Sequence, residues 1–389
     1  MATLTAPVLF TSDRERTPRP DLLLIIPLLA LAALSVLMVW TASRPRLETL
    51  GIDGSRDLQR QMLFAAVGLT GFAAASLVEE RFLRHWAGAV YGFSLLALVV
   101  VFTPLGDLSR GAQRWVSLGA FQVQPSEFAK VGLIVSLAAF LAAAGEGRMQ
   151  WKRVAGAVAL TAVPAILVFQ QPDLGTMLVF GFVVLVMLFI AGATVRQLVT
   201  LLAGAVAGLV AILQLGLLRT YQLERLTAFL DPTSDLQTAN YNQFQSQVAI
   251  GSGQMFGKGI LEGTQTNLSY VPAQTTDFIF TAVGEQLGFV GGAIVIGLYA
   301  LIVWRLMMAA AASGDRFGRL LSAGVASLVA FHVFVNIGMT LGMMPVTGLP
   351  LPFMSEGGSS FLATATAMGL AHSVWMRRSR VPGERRLMG

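Results

Sequence analysis

Apolar runs of about 20 residues recur from one end of this chain to the other, and they constrain it more than any other feature. A helix needs about 20 apolar residues to cross the hydrocarbon core of a bilayer. On that rule the sequence predicts ten spans, near residues 21–42, 59–78, 83–103, 126–144, 153–170, 175–192, 195–217, 278–307, 318–342 and 351–376. Several contain Gly and Pro, which membrane helices tolerate. The expected fold class is therefore all-α, a polytopic membrane protein of about ten transmembrane helices. The first run, from Leu22 to Val39, has span length and no small-residue cleavage site at its end, so it is expected to remain as a span.

Composition agrees. Hydrophobic residues make up 55% and charged residues 12%, about half the charged share of a soluble domain, so lipid must replace water over most of the exterior. The chain has no cysteine, which excludes disulfides, thiolate nucleophiles and cysteine-bound metals. Its formal charge of +6 comes from Lys and Arg spread through short loops rather than one basic face, which fits membrane topology better than nucleic-acid binding. With the N-terminus in the cytoplasm, loops predicted inside hold about 17 of the 27 Lys and Arg residues. Both termini are thus expected inside: a tail over 1–20, one transmembrane domain over 21–376, and a tail over 377–389.

Residues 218–277 form a connection far longer than is usual. It is polar but carries Tyr221, Phe229, Tyr241, Phe244, Phe256 and Tyr270, more aromatics than a disordered linker holds. It is expected to be a structured extracytoplasmic loop between helices 7 and 8, with short amphipathic helices such as 242–250.

Ionisable groups at membrane depth are candidates for function because they are costly there. Four clusters stand out. The first is Arg110, Arg114 and Trp115 followed by Pro125, Ser126, Glu127 and Lys130. Pro125 suits the first turn of a helix, and Glu127 and Lys130, three apart, share a face. The cluster reads either as an anion site or as a structural ion pair with arginines reaching to water. The second is Gln171-Pro172-Asp173, where Asp173 can cap the next helix. The third runs through Gly257-Lys258-Gly259 and Gly263-Thr264-Gln265 to Asp277 and Glu285. Asp277, at the lip of an apolar helix, can act as a base or as an N-cap; Glu285 is expected to pair with a neighbouring helix. The fourth, from Asn336 through Pro345, Pro350, Pro352, Ser355 and Glu356, breaks the helix at membrane depth, which requires protein or a watery cavity beside it. His85, His332 and His372 show no metal spacing and are expected to pack.

These clusters, in this order, resemble the SEDS family (shape, elongation, division and sporulation proteins) over nearly the whole chain. The segments that carry the resemblance are RGAQRW, QPSEFAK, QPDLGT, FGKG with GTQ, VPAQTTDFIFT, and GLPLPF with GGSS. GTQ before TDF looks more like elongation members than division members. The resemblance implies a peptidoglycan glycosyltransferase that polymerises lipid II, its donor and acceptor, at the outer face of the bacterial cytoplasmic membrane, beside a class B penicillin-binding protein. Asp277 matches the family's acidic residue in TDF. Glu127 and Lys130 match its polar pair, and Arg110, Arg114 and Trp115 the adjoining outer loop; Arg60 is expected to join them in binding substrate. Pro125, Ser126, Asp173, Glu285, Asn336, Pro352 and Ser355 are expected to support the site. The chain departs from the family at Ala273-Gln274-Thr275, Gln286 and Glu356.

In the reaction so implied, Asp277 takes the proton of the acceptor's 4-hydroxyl, and cations stabilise charge developing on the diphosphate. A divalent cation such as Mg²⁺ is a candidate cofactor because it commonly bridges phosphates. The rivals are a lipid II flippase, which would use a similar polar cavity but is often built from inverted repeats, a division-type member of the same family, and a non-catalytic scaffold.

Overall fold

A computed structural model describes residues 19–109, 112–118, 121–145, 147–216, 223, 225, 229 and 240–378. The membrane helices come in sequence order. Seven are long and apolar enough to cross a bilayer: α1 (Leu22–Thr49), α2 (Arg56–Leu77), α5 (Pro125–Ala142), α6 (Trp151–Gln170), α8 (Val195–Gln214), α11 (Ile279–Ala312) and α12 (Arg316–Thr340). Two shorter apolar helices, α4 (Ala87–Val100, preceded by the short α3, Glu80–His85) and α7 (Leu174–Ile190), join them. The tenth is α13 (Gly358–Arg377), rich in Ala, Ser and Gly and buried along most of its length. The chain is a helical membrane protein with a large, partly helical connection after the seventh span, carrying α9 (Tyr241–Ser252) and α10 (Thr264–Asn267).

Small residues bring α2 and α13 into close contact. A Cβ on Gly369 would lie 2.4 Å from the Phe72 carbonyl oxygen, and one on Gly71 2.6 Å from Leu362. Backbone approach through small residues is how helices associate where lipid offers no hydrophobic drive. At the centre stand α5 and α12, buried on nearly every side, while α8 buries only Gln197.

Two departures from the sequence reading bear on the site. Between α4 and α5 the chain folds into an antiparallel meander, β1 (Gly106–Ser109), β2 (Ala112–Leu118) and β3 (Phe121–Val123), with Asp107 opposite Trp115 and Val116 opposite Val123. Strands this short fall below a 20-residue hydropathy window, so the span count passed over them. The last helix begins at Gly358 rather than near 351. Residues 343–357 run outside regular helix, as the prolines at 345, 350 and 352 favour, and Gly348 (φ 75) and Phe353 (φ 64) are in left-handed conformations.

Candidate active site

Pro125 opens α5 at its first turn, where its missing amide hydrogen costs nothing. Ser126 accepts a hydrogen bond from the Gln124 side chain (3.1 Å). One turn on, the Lys130 ammonium donates to Glu127 Oε1 (2.7 Å) and lies 3.0 Å from His332 Nε2 on α12. His332 Nδ1 is 2.9 Å from the Leu328 carbonyl, which can only accept. That contact places the ring proton on Nδ1 and leaves Nε2 to accept from the ammonium. Glu127, Lys130 and His332 are all at most 3% exposed, so the pair does not reach water as a snorkelling cation would. Glu127 Oε2 is buried and has no hydrogen-bond partner among the described residues.

Four residues beyond His332, on the same face of α12, Asn336 donates to the carbonyls of Asp277 (2.8 Å) and Leu349 (2.7 Å). Lys130 and Asp277 thus contact one side of α12 at points about one turn apart, about 6 Å of rise. The N-cap of α11 falls on Phe278, one residue past Asp277, which is half-buried. Its carboxylate shares a neighbour with a cation. A Cβ at Gly348 would lie 3.7 Å from both Asp277 Oδ2 and Arg225 Nη1, and Arg225 also donates to the Val346 carbonyl (3.3 Å). In the sequence Arg225 is one of several charges in the long loop, and no local pattern links it to a residue 52 positions away.

Around this pair the broken segment gathers the other motifs. Gly175, after the Gln171–Asp173 turn, packs where a Cβ would be 2.9 Å from the Thr347 carbonyl oxygen. Asp173 caps α7 through the Thr176 amide (3.2 Å) and hydroxyl (2.9 Å). Arg114 donates to the carbonyls of Gln171 (2.9 Å) and Pro172, which engages two of its donors with protein. Trp115 is half-buried in the meander, and Arg110 lies outside the described residues. Ser355 Oγ accepts the Leu351 amide (2.9 Å), and Pro352 accepts from the Tyr299 hydroxyl. Arg60 on α2 stands 3.6 Å from Glu356 and over the Phe64 ring; the Glu356 amide bonds the Thr275 carbonyl (2.8 Å), joining this wall to the Asp277 segment.

Glu285, expected to pair with a neighbouring helix, finds its partners not on a membrane span but in the large loop, on the short α10 and at Lys258. Its carboxylate accepts from the amides of Gln265 (2.8 Å) and Thr266 (2.9 Å), the Thr266 hydroxyl (2.8 Å) and Lys258 Nζ (3.2 Å). The Gly-Thr-Gln motif is therefore a cradle for a helix carboxylate. No cluster of three or more His, Asp or Glu side chains suited to a metal occurs among the described residues.

Kinship follows from a family model, from relatives and from a solved structure. A family model described as cell cycle protein, covering FtsW, RodA and SpoVE, matches residues 21–380. The chain belongs to the FtsW/RodA/SpoVE family. Family members named peptidoglycan glycosyltransferases are close to it throughout. MrdB of Escherichia coli K12 is 37% identical over 359 residues, 92% of this chain and 94% of MrdB. A probable peptidoglycan glycosyltransferase FtsW of Trichlorobacter lovleyi is 35% identical over 356 residues, 90% and 91%. A solved structure described as structural coordination of polymerization and crosslinking by a peptidoglycan synthase complex matches with a TM-score of 0.75 at 34% identity, covering 93% of this chain and 99% of that one.

Within this FtsW/RodA/SpoVE member the three departures each have a local partner. Gln274 donates to Thr266 and Thr281 hydroxyls (3.0 Å each), Gln286 donates to Thr41 on α1 (3.0 Å), and Glu356 faces Arg60. Neutral Gln274 leaves Asp277 without a charged neighbour two or three residues upstream.

Proposed function

We propose that this chain is a peptidoglycan glycosyltransferase that polymerises lipid II at the outer face of the bacterial cytoplasmic membrane. The observation that carries the proposal is the half-buried Asp277 carboxylate and the Arg225 guanidinium meeting at Gly348, held from behind by Asn336. Asp277 accepts the proton of the acceptor's 4-hydroxyl. The freed oxygen forms a bond to the donor's anomeric carbon, the bond from that carbon to the diphosphate breaks, and its electron pair leaves with the phosphate. A single displacement of this kind inverts the carbon, as in other sugar transfers driven by one base. Arg225 supplies a fork of donors for the departing diphosphate, and Lys130, which meets α12 one turn from Asn336, adds fixed positive potential from a site closed to water. Arg114 acts through the Gln171–Asp173 turn it holds; Arg60, Arg110 and Trp115 belong to the substrate's surroundings.

Purified Asp277→Ala in detergent, folded as judged by gel filtration, should give no glycan from lipid II, and Arg225→Leu should lower turnover at least tenfold. Glycan made at the normal rate by the Asp277 variant removes the base from this account. Sealed vesicles carrying labelled lipid II separate the flippase rival, which moves lipid without making glycan. The Gly-Thr-Gln motif supports an elongation role over a division role; depletion in cells should then yield rounded cells rather than filaments. A class B penicillin-binding protein is the partner this reading requires, in keeping with the combined polymerisation and crosslinking named for the synthase complex above.

A further inference from the structure

Backbone groups at membrane depth must find partners in the protein, and α11 creates such a need. It is interrupted at Gly288 (φ 67, ψ −164). Residues 254–259 of the large loop fill the gap. The amides of Phe289 and Val290 donate to the carbonyls of Gln254 (2.8 Å) and Met255 (3.1 Å), while the amides of Lys258 and Gly259 donate to Glu285 (3.0 Å) and Gln286 (3.1 Å). Two glycines make the approach feasible: a Cβ at Gly257 would lie 2.1 Å from the Gln286 carbonyl oxygen, and one at Gly288 2.3 Å from the Gly257 nitrogen.

The side chains of this turn are arranged opposite to those of a loop in water. Its one cation, Lys258, turns inward to Glu285. Met255, Phe256 and Ile260 point outward, 55%, 81% and 46% exposed, beside Phe289 on the helix at 67%.

Depth can be read from α1, which runs antiparallel to α11. Asp21 bonds Arg305 (2.9 Å) at one end and Thr41 bonds Gln286 (3.0 Å) at the other. These pins are about 20 residues apart on both helices, about 30 Å at 1.5 Å per residue, which is the thickness of the hydrocarbon core. Trp304 and Trp40 sit next to the pins, where aromatic belts lie. Gly288 and Phe289 fall two to three residues inside the upper pin, about 3–5 Å below the boundary.

We propose that residues 254–260 form a re-entrant turn whose apolar tip, Met255, Phe256 and Ile260, is inserted among lipid acyl chains, continuing the lipid-facing surface of α11. The turn anchors the stem of the loop that ends at Asp277, and the proposal stands independently of the catalytic reading.

The chain has no cysteine, so single nitroxide labels can be placed on the full-length protein without other changes. Phe256→Cys is compared in phosphatidylethanolamine–phosphatidylglycerol liposomes with Ile294→Cys, exposed on α11, and Glu262→Cys, exposed on the loop. Collision with oxygen relative to a water-soluble nickel chelate should place Phe256 with Ile294, with a ratio several-fold above that of Glu262. A ratio matching Glu262 puts the tip in water, and low collision with both reagents puts it under protein; either result overturns the proposal.

Discussion

Glu127 and Lys130 neutralise each other where neither can reach water, so removing one alone leaves an uncompensated buried charge. Glu127→Leu is expected to cost roughly 3–5 kcal/mol, read as a lowered Tm in detergent. Glu127→Leu combined with Lys130→Met removes both charges, and its Tm should return close to that of the natural chain while polymerisation stays lost. A double variant that is fully active assigns the pair a structural role only. His332 offers a sharper test of positioning. Gln can present an acceptor to Lys130 and Leu cannot, so His332→Gln should retain most of kcat, whereas His332→Leu should lower kcat at least tenfold with little change in KM. Equal loss in both variants would mean that ring packing, not the contact with the ammonium, is what matters there.

At the scale of elements, the break in α11 and the turn that fills it form one unit. Gly288 is left-handed and Gly257 has φ 80, and each faces backbone rather than a movable side chain. Ala at either position adds backbone strain of order 1–3 kcal/mol and forces the two strands of backbone apart. Gly288→Ala and Gly257→Ala should each lower Tm and open the 254–260 segment to limited proteolysis, whereas Gly251→Ala, with nothing within 4 Å of the added Cβ, should do neither. The broken segment after α12 follows the same physics: Gly342 (φ 81) closes the helix, the prolines beyond it keep the chain from resuming one, and the freed backbone is tied by Asn336, Tyr299 and Ser355. That is how a loop at membrane depth comes to line a site.

For the whole molecule, the membrane helices place α9, α10 and Asp277 at one end, and Asp21 and Trp375, near the first and last described residues, at the other. With Lys and Arg concentrated in the loops on the side of the termini, that end is expected in the cytoplasm. Green fluorescent protein fused after Gly389 should fluoresce, and alkaline phosphatase inserted in the loop between residues 232 and 238 should be active. The opposite pattern would invert the molecule and remove the site from an external substrate. The buried Asp21–Arg305 pair, with Trp375 stacked 4.2 Å from the guanidinium, ties α1, α11 and α13 together at the terminal end. His372 joins it by accepting the Asp21 amide (3.0 Å).

What was legible in the sequence was what short-range terms govern. Apolar run length gave the spans, proline placed the start of α5, glycines and prolines together marked the break after α12, spacing of three put Glu127 against Lys130, and an Asp before a helix gave the Asp173 cap. Each depends on residues within a few positions of one another, so a single window contains the cause. Tertiary structure alone decided that His332 meets Lys130 across 202 positions, that Arg225 reaches the glycine beside Asp277, and that Glu285 is held by the large loop rather than by a neighbouring membrane span. Those contacts follow from which helix faces pack together, and packing is a sum over many weak, non-directional interactions. No residue pattern along the chain encodes that sum.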